Sequence, residues 1–392
     1  MHVLIIVENL PVPFDRRVWS EALALKAAGM DVTVICPGVS KGLADEEVLE
    51  GIRILRHPLA EAKSGTFQYV REYAHALYWE TRLAWKVWRE TKFDAVHICN
   101  PPDLLFMVVL PFKVLFRTKV VFDHHDLSPE LYEVKFQKRG LGYWLMRVAE
   151  FFTFRVADHV ISTNESYARI AKERGAKKDS EVTVVRSGPD LARFKRPPLS
   201  EMSGGVTVGY VGVIAEQDGV DKLIDAMGSI VNDHQRADVR LVVIGDGPSK
   251  DQLEELAADL GIRSHVDFVG FKSGNELLDV LGTVDIGVCP DPYNDYNDKC
   301  TMNKILEYMA LSIPVVQFDL TEGRVSAGDA ALYAGRDNDP AELAAAIIRL
   351  ADDPELRQEM GAKGRARMED HLEWRHQIPK LVSVYRQAAR QS

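Results

Sequence analysis

Short β-branched runs alternate with helix-like segments in two series along this chain of 392 residues. In the first half the runs lie at residues 3–7, 31–36, 95–98, 120–122, 159–162 and 182–185. In the second half they lie at residues 206–211, 239–244, 266–269, 286–289 and 314–318. Such alternation predicts βαβ units, in which helices cover both faces of a parallel sheet. The sequence therefore predicts an α/β protein with two doubly wound parallel-sheet domains in tandem.

A segment rich in proline, glycine and serine separates the two series. Residues 187–205 have no hydrophobic periodicity, which is typical of an interdomain linker. We expect a first domain at residues 1–190, a linker at 191–205, a second domain at 206–378 and a closing segment at 379–392.

Composition and charge narrow the classes of function. Hydrophobic residues make up 46% and charged residues 27%, which is ordinary for a globular protein and unlike a disordered or multi-span membrane protein. The net charge of -10 opposes nucleic-acid binding. The acidic excess lies in the second half, which suggests that only the first half faces an anionic partner, although chance composition explains the uneven charge equally well. Residues 1–8 lack the basic start of a signal peptide, so we expect a cytoplasmic protein. The four cysteines form no C-x-x-C pair, which argues against a disulfide framework or a zinc site.

The segment at residues 295–316 carries the strongest chemical signal of the second half. A loop there leads into a short helix, whose first backbone amides, at Thr301, Met302 and Asn303, form a potential diphosphate site. Lys304 and Glu307 share one face of this helix and supply a cation for phosphates and a carboxylate for ribose hydroxyls. A surface helix with an ordinary lysine–glutamate pair remains the alternative.

Three further motifs are weaker. The tripeptide Gly245-Asp246-Gly247 ends a strand, where glycines either let the backbone approach a ligand or simply form a turn. The acidic stretch at 291–298 resembles a metal site, but its turn-forming residues favour a solvated loop. His124 and His125 follow a strand without a second cluster of metal ligands, so no zinc site is expected.

Several sequence blocks resemble one known family. They are DRRVW, ICNPPDLLF, VVFDHHDLSPELYE, STNESYARIA and VVRSGPDLARF in the first half, and VGYVGVIAEQDGVDKLIDAM, LVVIGDGP, MNKILEYMALSIPVV and GRVSAGDAALY in the second. Together they resemble a bacterial family 4 retaining glycosyltransferase, of a subgroup found in surface and exopolysaccharide assembly. The resemblance implies a GT-B fold, in which two Rossmann-like domains face each other across a cleft. It also implies a C-terminal helix within residues 379–392 that crosses back to the first domain.

The same resemblance implies how the second domain binds a nucleotide-sugar donor. Glu307 would bind the ribose hydroxyls, and Phe271 would lie at the nucleobase. The other implied donor contacts are Gly212, Gly245, Asp246, Gly247, Lys299, Thr301, Met302, Asn303, Lys304 and Arg324. No metal ion or other cofactor is implied, because the nucleoside-diphosphate sugar is a co-substrate.

The chain departs from the family pattern at three positions. Lys299 occupies the place of the first of two glutamates eight residues apart. Val213 and Asp218 occupy the places where the family often has an arginine and a lysine, in the loop after the first strand of the second domain. The leaving diphosphate still needs cations, and Lys304, Lys299 and Arg324 are the expected replacements.

The first domain would supply the acceptor site and further catalytic residues. By resemblance, His125 with Asp126 matches a histidine near the anomeric carbon, so His125, Asp126 and Glu307 are the expected catalytic residues. A retaining transfer implies front-face displacement, in which the leaving phosphate helps to deprotonate the acceptor and His125 orients and polarises. Asp15 and Arg16, in the loop after the first strand, are expected to meet the acceptor or a donor phosphate. A helix cap at Asp15 beside exposed arginines is equally consistent.

Two stretches that mix aromatic and basic residues, at 67–89 and 135–154, suggest contact with an anionic membrane surface. The apolar run at 104–116 is too short to span a bilayer. We therefore expect peripheral attachment at the inner face of the cell membrane and a saccharide acceptor linked to a polyprenyl diphosphate such as undecaprenyl diphosphate. Helices packed on a sheet explain the same aromatic residues equally well.

Two other functions stay open at this stage. The departures at Lys299, Val213 and Asp218 also fit a catalytically degenerate partner that binds a nucleotide sugar without turnover. A nucleotide-sugar epimerase is a weaker alternative, since the blocks quoted above do not resemble one.

Overall fold

The computed structural model describes residues 1–38, 43–58, 66–194 and 205–390, with side chains for all of these except 66–70 and 389–390. The chain forms two compact units, one from Met1–Ser187 with Gln377–Ser392 and the other from Gly188–His376. Residues 195–204 of the expected linker lie outside the described residues. Leu191 and Phe194, also expected in the linker, instead belong to the hydrophobic core of the second unit.

The first unit is built on an eight-stranded sheet. Its strands are β1 (His2–Ile6), β2 (Asp31–Pro37), β3 (Glu46–Leu49), β4 (Ile52–His57), β5 (Ala95–Cys99), β6 (Lys119–His124), β7 (His159–Ser162) and β8 (Val182–Val184). Their spatial order is β3-β4-β2-β1-β5-β6-β7-β8, and β3 and β4 pair antiparallel while the other neighbouring strands are parallel. The central strands are buried along their length because helices cover both faces. The sequence patterns did not predict β3 and β4.

The helices of the first unit follow its strands. They are α1 (Arg16–Ala27), α2 (Thr66–Thr91), α3 (Phe106–Phe116), α4 (Ser128–Phe136), α5 (Leu141–Val156) and α6 (Glu165–Glu173). The last helix of the chain, α14 (Trp374–Arg390), begins before the expected segment 379–392. Its buried side chains Leu381, Val384 and Tyr385 belong to the part of the helix that lies in the first unit.

The second unit is built on a six-stranded parallel sheet. Its strands are β9 (Val206–Val211), β10 (Val239–Ile244), β11 (Val266–Gly270), β12 (Ile286–Cys289), β13 (Val315–Phe318) and β14 (Ala331–Ala334), in the spatial order β11-β10-β9-β12-β13-β14. Its helices are α7 (Val220–Gly228), α8 (Lys250–Asp259), α9 (Gly274–Leu281), α10 (Asn303–Ala310), α11 (Thr321–Ala327), α12 (Pro340–Asp352) and α13 (Pro354–Arg367). Two doubly wound α/β units are therefore present, as the alternation of patterns predicted, and β14 is an additional strand.

Candidate functional site

Each sheet has one point at which the strand order reverses. In the first unit this point lies between β1 and β5, and in the second unit it lies between β9 and β12. Ligands of open α/β sheets bind beyond the carboxyl ends of the strands at such reversals. The loops after these four strands, and after their neighbours, are therefore where a site is expected in each unit.

A buried tyrosine fixes α10 against the reversal point of the second unit. The Tyr308 hydroxyl has one proton, which it shares between the carbonyl oxygens of Gly209 in β9 (3.1 Å) and Val288 in β12 (3.3 Å), and it accepts from the Val211 backbone N–H at 3.0 Å. A Cβ on Gly287 would lie 2.5 Å from the Tyr308 ring, so only glycine leaves room for the ring there. This anchoring places the start of α10 beside β9 and β12.

Lys304, in the first turn of α10, forms a buried ion pair. Its ammonium donates to Asp291 Oδ2 at 2.8 Å and lies 4.8 Å from the centre of the Tyr210 ring. Burial opposes the charged form, but the Asp291 carboxylate raises the pKa of Lys304 well above its ordinary value. Asp291 Oδ2 also accepts from the Cys289 thiol at 2.9 Å. Lys304 is therefore a permanent cation held at the reversal point.

The other expected residues of α10 lie around this lysine. Met302 is the residue that precedes the helix, Asn303 is its first residue, and Thr301 is half-buried just before them. Glu307 and Lys304 are both only 9% exposed. The alternative of a surface helix with an exposed lysine–glutamate pair is therefore wrong, because α10 is buried from its second residue onward.

The two other expected cations are also paired with carboxylates. Lys299 donates to the Asp295 carbonyl at 2.5 Å and lies 3.5 Å from its carboxylate. The Arg324 guanidinium donates to Asp319 and lies 4.1 Å from the centre of the Tyr333 ring. Its side chain is 52% exposed, so it is far more accessible than Lys304.

The glycines after β9 and β10 serve contact between two loops. Gly245 has a φ of +148°, and a Cβ at that position would lie 1.8 Å from the carbonyl oxygen of Gly212. A Cβ on Gly247 would lie 2.3 Å from the carbonyl oxygen of Ile214. The Asp246 side chain is exposed and accepts from the Gly247 backbone N–H at 2.8 Å. These glycines therefore let one backbone approach another, whether or not a ligand is bound.

The structure gives the exposure or the charge environment of three other positions that the resemblance singled out: Phe271, Val213 and Asp218. Phe271, just after β11, is 73% exposed, so the alternative that it packs in the core is wrong. Val213 is 58% exposed and brings no charge to the loop after β9. Asp218 in the same loop is an anion near Lys304 and helps to raise the pKa of that lysine.

The acidic stretch 291–298 is only partly a solvated loop. Asp295 is 78% exposed at its side chain, as expected. Asp291 and Asn297 are buried, however, and Asn297 donates to the Pro292 carbonyl at 2.9 Å. Asp298 accepts from the Thr321 backbone N–H at 2.8 Å at the start of α11. The expectation of a solvated loop is therefore wrong for Asp291 and Asn297, which are buried.

In the first unit, His125 lies at the carboxyl end of β6 and is held by two neighbours. Its Nδ1 lies 2.9 Å from Asp123 Oδ2, and its backbone N–H donates to Asn100 Oδ1 at 2.9 Å. Asn100 also accepts from the Asp126 N–H at 3.2 Å and donates to the Asp126 carbonyl at 2.7 Å. Asp126 Oδ1 accepts from the following N–H of Leu127 at 2.7 Å, which turns the chain toward α4.

The adjacent histidine has a different environment. The His124 ring lies among the rings of Phe122, Phe154 and Tyr167, at centroid distances of 5.1 to 5.4 Å. Burial lowers the pKa of His124 to about 3, so it is neutral in the core. His125 keeps 15% of its side chain exposed. Of the two histidines, His125 is therefore the one able to reach a ligand.

The loop after β1 leads to two arginines in different environments. Asp15 accepts from the Val18 N–H at 3.0 Å as the cap of α1, and Arg16 is exposed. The next residue, Arg17, forms two hydrogen bonds to Asp123, at 2.8 and 2.6 Å. Sequence reasoning missed Arg17, Asp123 and Asn100. Its one available signal was the spacing of Arg17 and Glu21, which puts both charges beside the apolar face of α1.

His97, Cys99 and Asp123 bring potential ligand atoms within 4.8 Å of one another in the buried interior. A metal ion there would lie against the Arg17 guanidinium, whose charge repels cations, and Asp123 already accepts from that arginine. We therefore interpret these side chains as part of the buried polar interior around Arg17 and not as a metal site. The four cysteines of the chain are all buried, and none is in a disulfide bond.

The two aromatic and basic stretches differ in exposure. In α2, Trp85 and Trp88 pack on Phe112 and Phe116 of α3, which confirms the simpler explanation for them. Residues 67 and 69 have side chains outside the described part of the chain. In α5 a stripe of side chains is 45 to 77% exposed; it consists of Leu141, Trp144, Leu145, Val148, Phe151 and Phe152. We call these six side chains the apolar face. Among the helices described, none combines the length and hydropathy needed to cross a bilayer.

Family models match both units of the chain. A model described as "Glycosyl transferase 4-like domain" matches residues 15–188, and one described as "Glycosyl transferases group 1" matches residues 205–353. A glycogen synthase from Mycobacterium tuberculosis is 27% identical over 397 residues, which cover 96% of this chain and 91% of that protein. An alpha-D-kanosaminyltransferase from Streptomyces kanamyceticus is 31% identical over 153 residues, 38% of each protein.

Solved structures share the fold over the full length. Sucrose-phosphate synthase from Thermosynechococcus elongatus has a TM-score of 0.79 and 19% identity, with 100% of both chains covered. HepE from Anabaena, in complex with UDP and glucose, has a TM-score of 0.72 and 16% identity, with 100% of this chain and 99% of that chain covered. Similarity at these identities shows the architecture common to all three proteins.

Proposed function

The chain belongs to the family 4 glycosyltransferases of the GT-B fold, and from this premise we propose a more specific function. It transfers a sugar, with retention of the anomeric configuration, from a nucleoside-diphosphate sugar to a saccharide linked to polyprenyl diphosphate, in the assembly of a cell-surface polysaccharide. The observation that carries the donor half of this proposal is the buried cation Lys304 at the strand-order reversal of the second unit.

The position of Lys304 supports diphosphate binding although the lysine is already paired. An ammonium group has three N–H donors, and Asp291 accepts from one of them. The remaining donors and the backbone amides at the start of α10 suit the phosphate oxygens of a donor. Asp291 would then fix the lysine and partly neutralise it, while the phosphates bring the extra negative charge that Lys299 and Arg324 help to balance.

The remaining donor residues fit the parts of a nucleotide sugar by their chemistry. Phe271, exposed after β11, is suited to stacking on a nucleobase. Glu307, on the same helix as Lys304, is suited to accept from ribose hydroxyls. His125 is proposed to hydrogen-bond a hydroxyl of the transferred sugar and so to orient it for front-face attack. No residue of the chain needs to form a covalent intermediate in this scheme.

Turnover of a donor tests the proposal. Purified protein incubated with a panel of nucleotide sugars, beginning with UDP-glucose, should release nucleoside diphosphate slowly, and faster with a suitable saccharide acceptor. His125→Ala should lower the rate about 100-fold, because a lost positioning or polarising group commonly costs that much. His234→Ala, at an exposed histidine of the second unit, is the control and should leave the rate unchanged. An unaffected His125→Ala variant would remove this histidine from the scheme.

The apolar face of α5 supports an acceptor at a membrane. Six exposed side chains recur at helical spacing, and Phe152 stacks on Phe106 of α3, whose Val114 and Leu115 are also more than 60% exposed. Basic residues, including the 56% exposed Arg139, flank this surface and suit anionic lipid headgroups. Contiguous exposed apolar side chains of this kind commonly mark a contact site for a membrane or a partner.

Vesicle binding tests the membrane proposal. Wild-type protein should co-sediment with vesicles of phosphatidylglycerol and phosphatidylethanolamine, and the bound fraction should fall with added salt. Trp144→Ser with Leu145→Ser should weaken binding at least tenfold, because each side chain contributes roughly 1.5–3 kcal/mol when fully buried. The matched control, Val48→Ser with Val325→Ser, changes two exposed valines on other elements and should bind normally. Equal binding by both double variants would contradict the proposal.

A second candidate function is binding of a nucleotide sugar without turnover. The observation in its favour is that Lys304, Lys299 and Arg324 are each paired with an aspartate, so the neighbourhood has less free positive charge than a leaving diphosphate requires. A binder would be stabilised against heat by a nucleoside diphosphate yet release none from any nucleotide sugar. The turnover assay above separates the two candidates.

A further inference from the structure

A buried ionic cluster surrounds Asp123 in the first unit. Asp123 is fully buried at the end of β6 and accepts from Arg17 Nε at 2.8 Å through Oδ2 and from Arg17 Nη2 at 2.6 Å through Oδ1. Arg17 also donates to the Val185 carbonyl at 3.0 Å and to the Ser187 hydroxyl at 2.9 Å. These hydrogen bonds fix the orientation of the Arg17 guanidinium and of the Asp123 carboxylate.

His125 is attached to this fixed carboxylate by one ring nitrogen. Nδ1 lies 2.9 Å from Asp123 Oδ2, and none of the described residues hydrogen-bonds to Nε2. The Asn100 side chain holds the backbone of His125 and Asp126, so both the main chain and the ring are constrained. In the neutral imidazole this arrangement puts the proton on Nδ1 and leaves Nε2 as an acceptor.

A second layer connects the cluster to the last helix of the chain. Glu21 lies 3.1 Å from Arg17 Nη2 and 3.4 Å from His97 Nε2, and His97 Nδ1 hydrogen-bonds with the Tyr385 hydroxyl of α14. Two carboxylates therefore share one arginine. Burial, then the Asp123 charge, raises the pKa of Glu21 to about 7, whereas Arg17 and His125 together overcome burial and hold the pKa of Asp123 well below its usual range.

We propose that Asp123 and Arg17 are positioning residues for His125, acting as a fixed carboxylate and its clamp that select the ring orientation and tautomer used in sugar transfer. This inference rests on the proposed function for the part that concerns sugar transfer. The Nδ1–H donates to Asp123, and Nε2 faces the sugar hydroxyl, from which it accepts in the neutral ring and to which it donates when the ring is protonated. Arg17 orients the ring through Asp123, because its two hydrogen bonds prevent the carboxylate from turning.

A purely stabilising role explains this cluster less well. A buried ion pair commonly contributes little net stability, because desolvation of both charges offsets their attraction. Stability would require neither a histidine at the edge of the pair nor a ring nitrogen left without a protein partner. Both features follow directly if the pair serves to orient His125.

The charge of His125 provides a readout that does not depend on activity. Burial opposes protonation of the ring, but the Asp123 charge and hydrogen bond raise the pKa of His125 above its ordinary value. The other charged or titratable groups that face it are Arg17, Asp15 and Glu21 from α1 and His124 from β6. Arg17 opposes protonation of the ring and Asp15 favours it. Because Asp123 is the main group that favours the charged ring, removal of its charge should lower the pKa of His125.

The test combines imidazole NMR with kinetics on Asp123→Asn, Arg17→Lys and the control Glu130→Gln. Glu130 belongs to a separate buried ion pair with Arg174, so its loss disturbs the fold comparably without touching His125. We expect Asp123→Asn to lower the pKa of His125, to change its Nδ1 and Nε2 chemical shifts, and to lower kcat at least 100-fold while KM for the donor changes less than about threefold. Arg17→Lys keeps the positive charge but loses the two paired hydrogen bonds. Its kcat and its His125 pKa should therefore lie between the values of wild type and of Asp123→Asn.

Each outcome decides the inference. An Asp123→Asn variant with the wild-type pKa of His125 and wild-type kcat, or a Glu130→Gln variant with the same losses, would overturn it. If Asp123→Asn does not fold, Arg17→Lys decides by the same two readouts. If the wild-type protein turns over no nucleotide sugar, the proposed function fails, and the pKa and tautomer of His125 still decide whether Asp123 positions the ring.

Discussion

Several carboxyl groups of the first unit are buried with fewer partners than they have oxygen atoms. Glu80 in α2 is fully buried, neither of its oxygens accepts a hydrogen bond from a described residue, and His57 Nε2 lies 4.0 Å away. Burial, reinforced by the nearby Glu8 charge, raises the pKa of Glu80 to about 8. This residue is therefore protonated in the native protein near neutral pH.

The linkage between protonation and folding gives a prediction for Glu80. The folded pKa lies above the unfolded one, so Glu80 favours folding at low pH and loses this contribution as pH rises from about 4.5 to about 8. We expect Glu80→Gln to be less stable than wild type at pH 5, and we expect the difference to shrink or reverse by pH 9, a change of about 3–5 kcal/mol. Chemical unfolding at a series of pH values measures it.

Glu90→Gln is the matched control for this experiment, because Glu90 lies on the same helix with its side chain 40% exposed and paired with Arg53. The difference in unfolding free energy between Glu90→Gln and wild type should not shrink or reverse between pH 5 and pH 9 in this way. A pH-independent difference for Glu80→Gln would show that Glu80 is not held protonated by the fold.

At the residue scale, the sequence identified side chains within recognisable blocks but not their supporting partners. His125, Lys304 and Glu307 were predicted, and the structure puts each near a strand-order reversal of its own unit. Asp123 and Arg17 were not predicted, because their contact joins residues 106 positions apart and depends on the register of the sheet. Short-range patterns carry no information on such a pairing.

At the scale of elements, the loops after β9 and β10 are tied to each other by their backbones. The Gly212 N–H donates to the backbone carbonyl of Ile244, and the Ile214 N–H donates to the backbone carbonyl of Asp246, both at 3.0 Å. Gly245 lies where these loops come closest. The backbone geometry around Gly212 therefore depends on Gly245, whose added Cβ would meet the Gly212 backbone.

A single methyl group at Gly245 tests this dependence. Gly245→Ala adds a Cβ that would lie 1.8 Å from a carbonyl oxygen, at a φ of +148° that alanine rarely adopts, so we expect a loss of about 2–5 kcal/mol in unfolding free energy. Gly261→Ala is the control, because its φ is +71° but nothing lies within 4 Å of the added Cβ, and it should cost about 1–2 kcal/mol. Urea unfolding of the two variants measures both, and equal small losses would show that the loops can separate.

Two of the three strands that the sequence patterns missed, β3 and β4, lack a continuous apolar run. The strand β4 contains Arg53, Arg56 and His57, and the edge strand β3 begins with two glutamates. Arg56 is buried because its guanidinium donates to the Ala44 and Val12 carbonyls, at 2.8 and 2.9 Å. Burial of β4 depends on tertiary hydrogen bonds to its charged side chains, which the local sequence does not show. The strands β1, β2 and β9, by contrast, could be predicted from their hydrophobic runs alone.

At the scale of the whole molecule, the chain closes its first unit with its last helix. Leu381 in α14 is fully buried within the first unit, and Ile347 in α12 is fully buried within the core of the second. Because each unit has its own core, a cavity in one core should destabilise that unit by itself. The division into two units was predictable from the repeated alternation of strands and helices. That the last helix returns to the first unit was predicted only from the family resemblance.

Hydrogen exchange of two cavity variants tests this independence. Leu381→Ala should cost about 2–5 kcal/mol and accelerate exchange in peptides from residues 1–187. Ile347→Ala should lower the unfolding free energy by a similar amount and accelerate exchange in peptides from residues 188–376. If both variants accelerated exchange equally throughout the chain, the two units would instead unfold as one.

The central claim is that the cation at the start of α10 binds the diphosphate of an activated sugar. Calorimetric titration with UDP, GDP, ADP and dTDP tests it on wild type, on Lys304→Met with Asp291→Asn, and on Lys363→Met with Glu359→Gln. The first double variant removes the buried pair without leaving a lone charge, and the second removes an exposed pair of similar chemistry. We predict that one nucleoside diphosphate binds wild type and the second variant alike but binds the first variant at least tenfold more weakly, since charge-assisted hydrogen bonds contribute about 1.5–3 kcal/mol. Equal affinity for the two double variants, or no binding of any of the four to wild type, would contradict the claim.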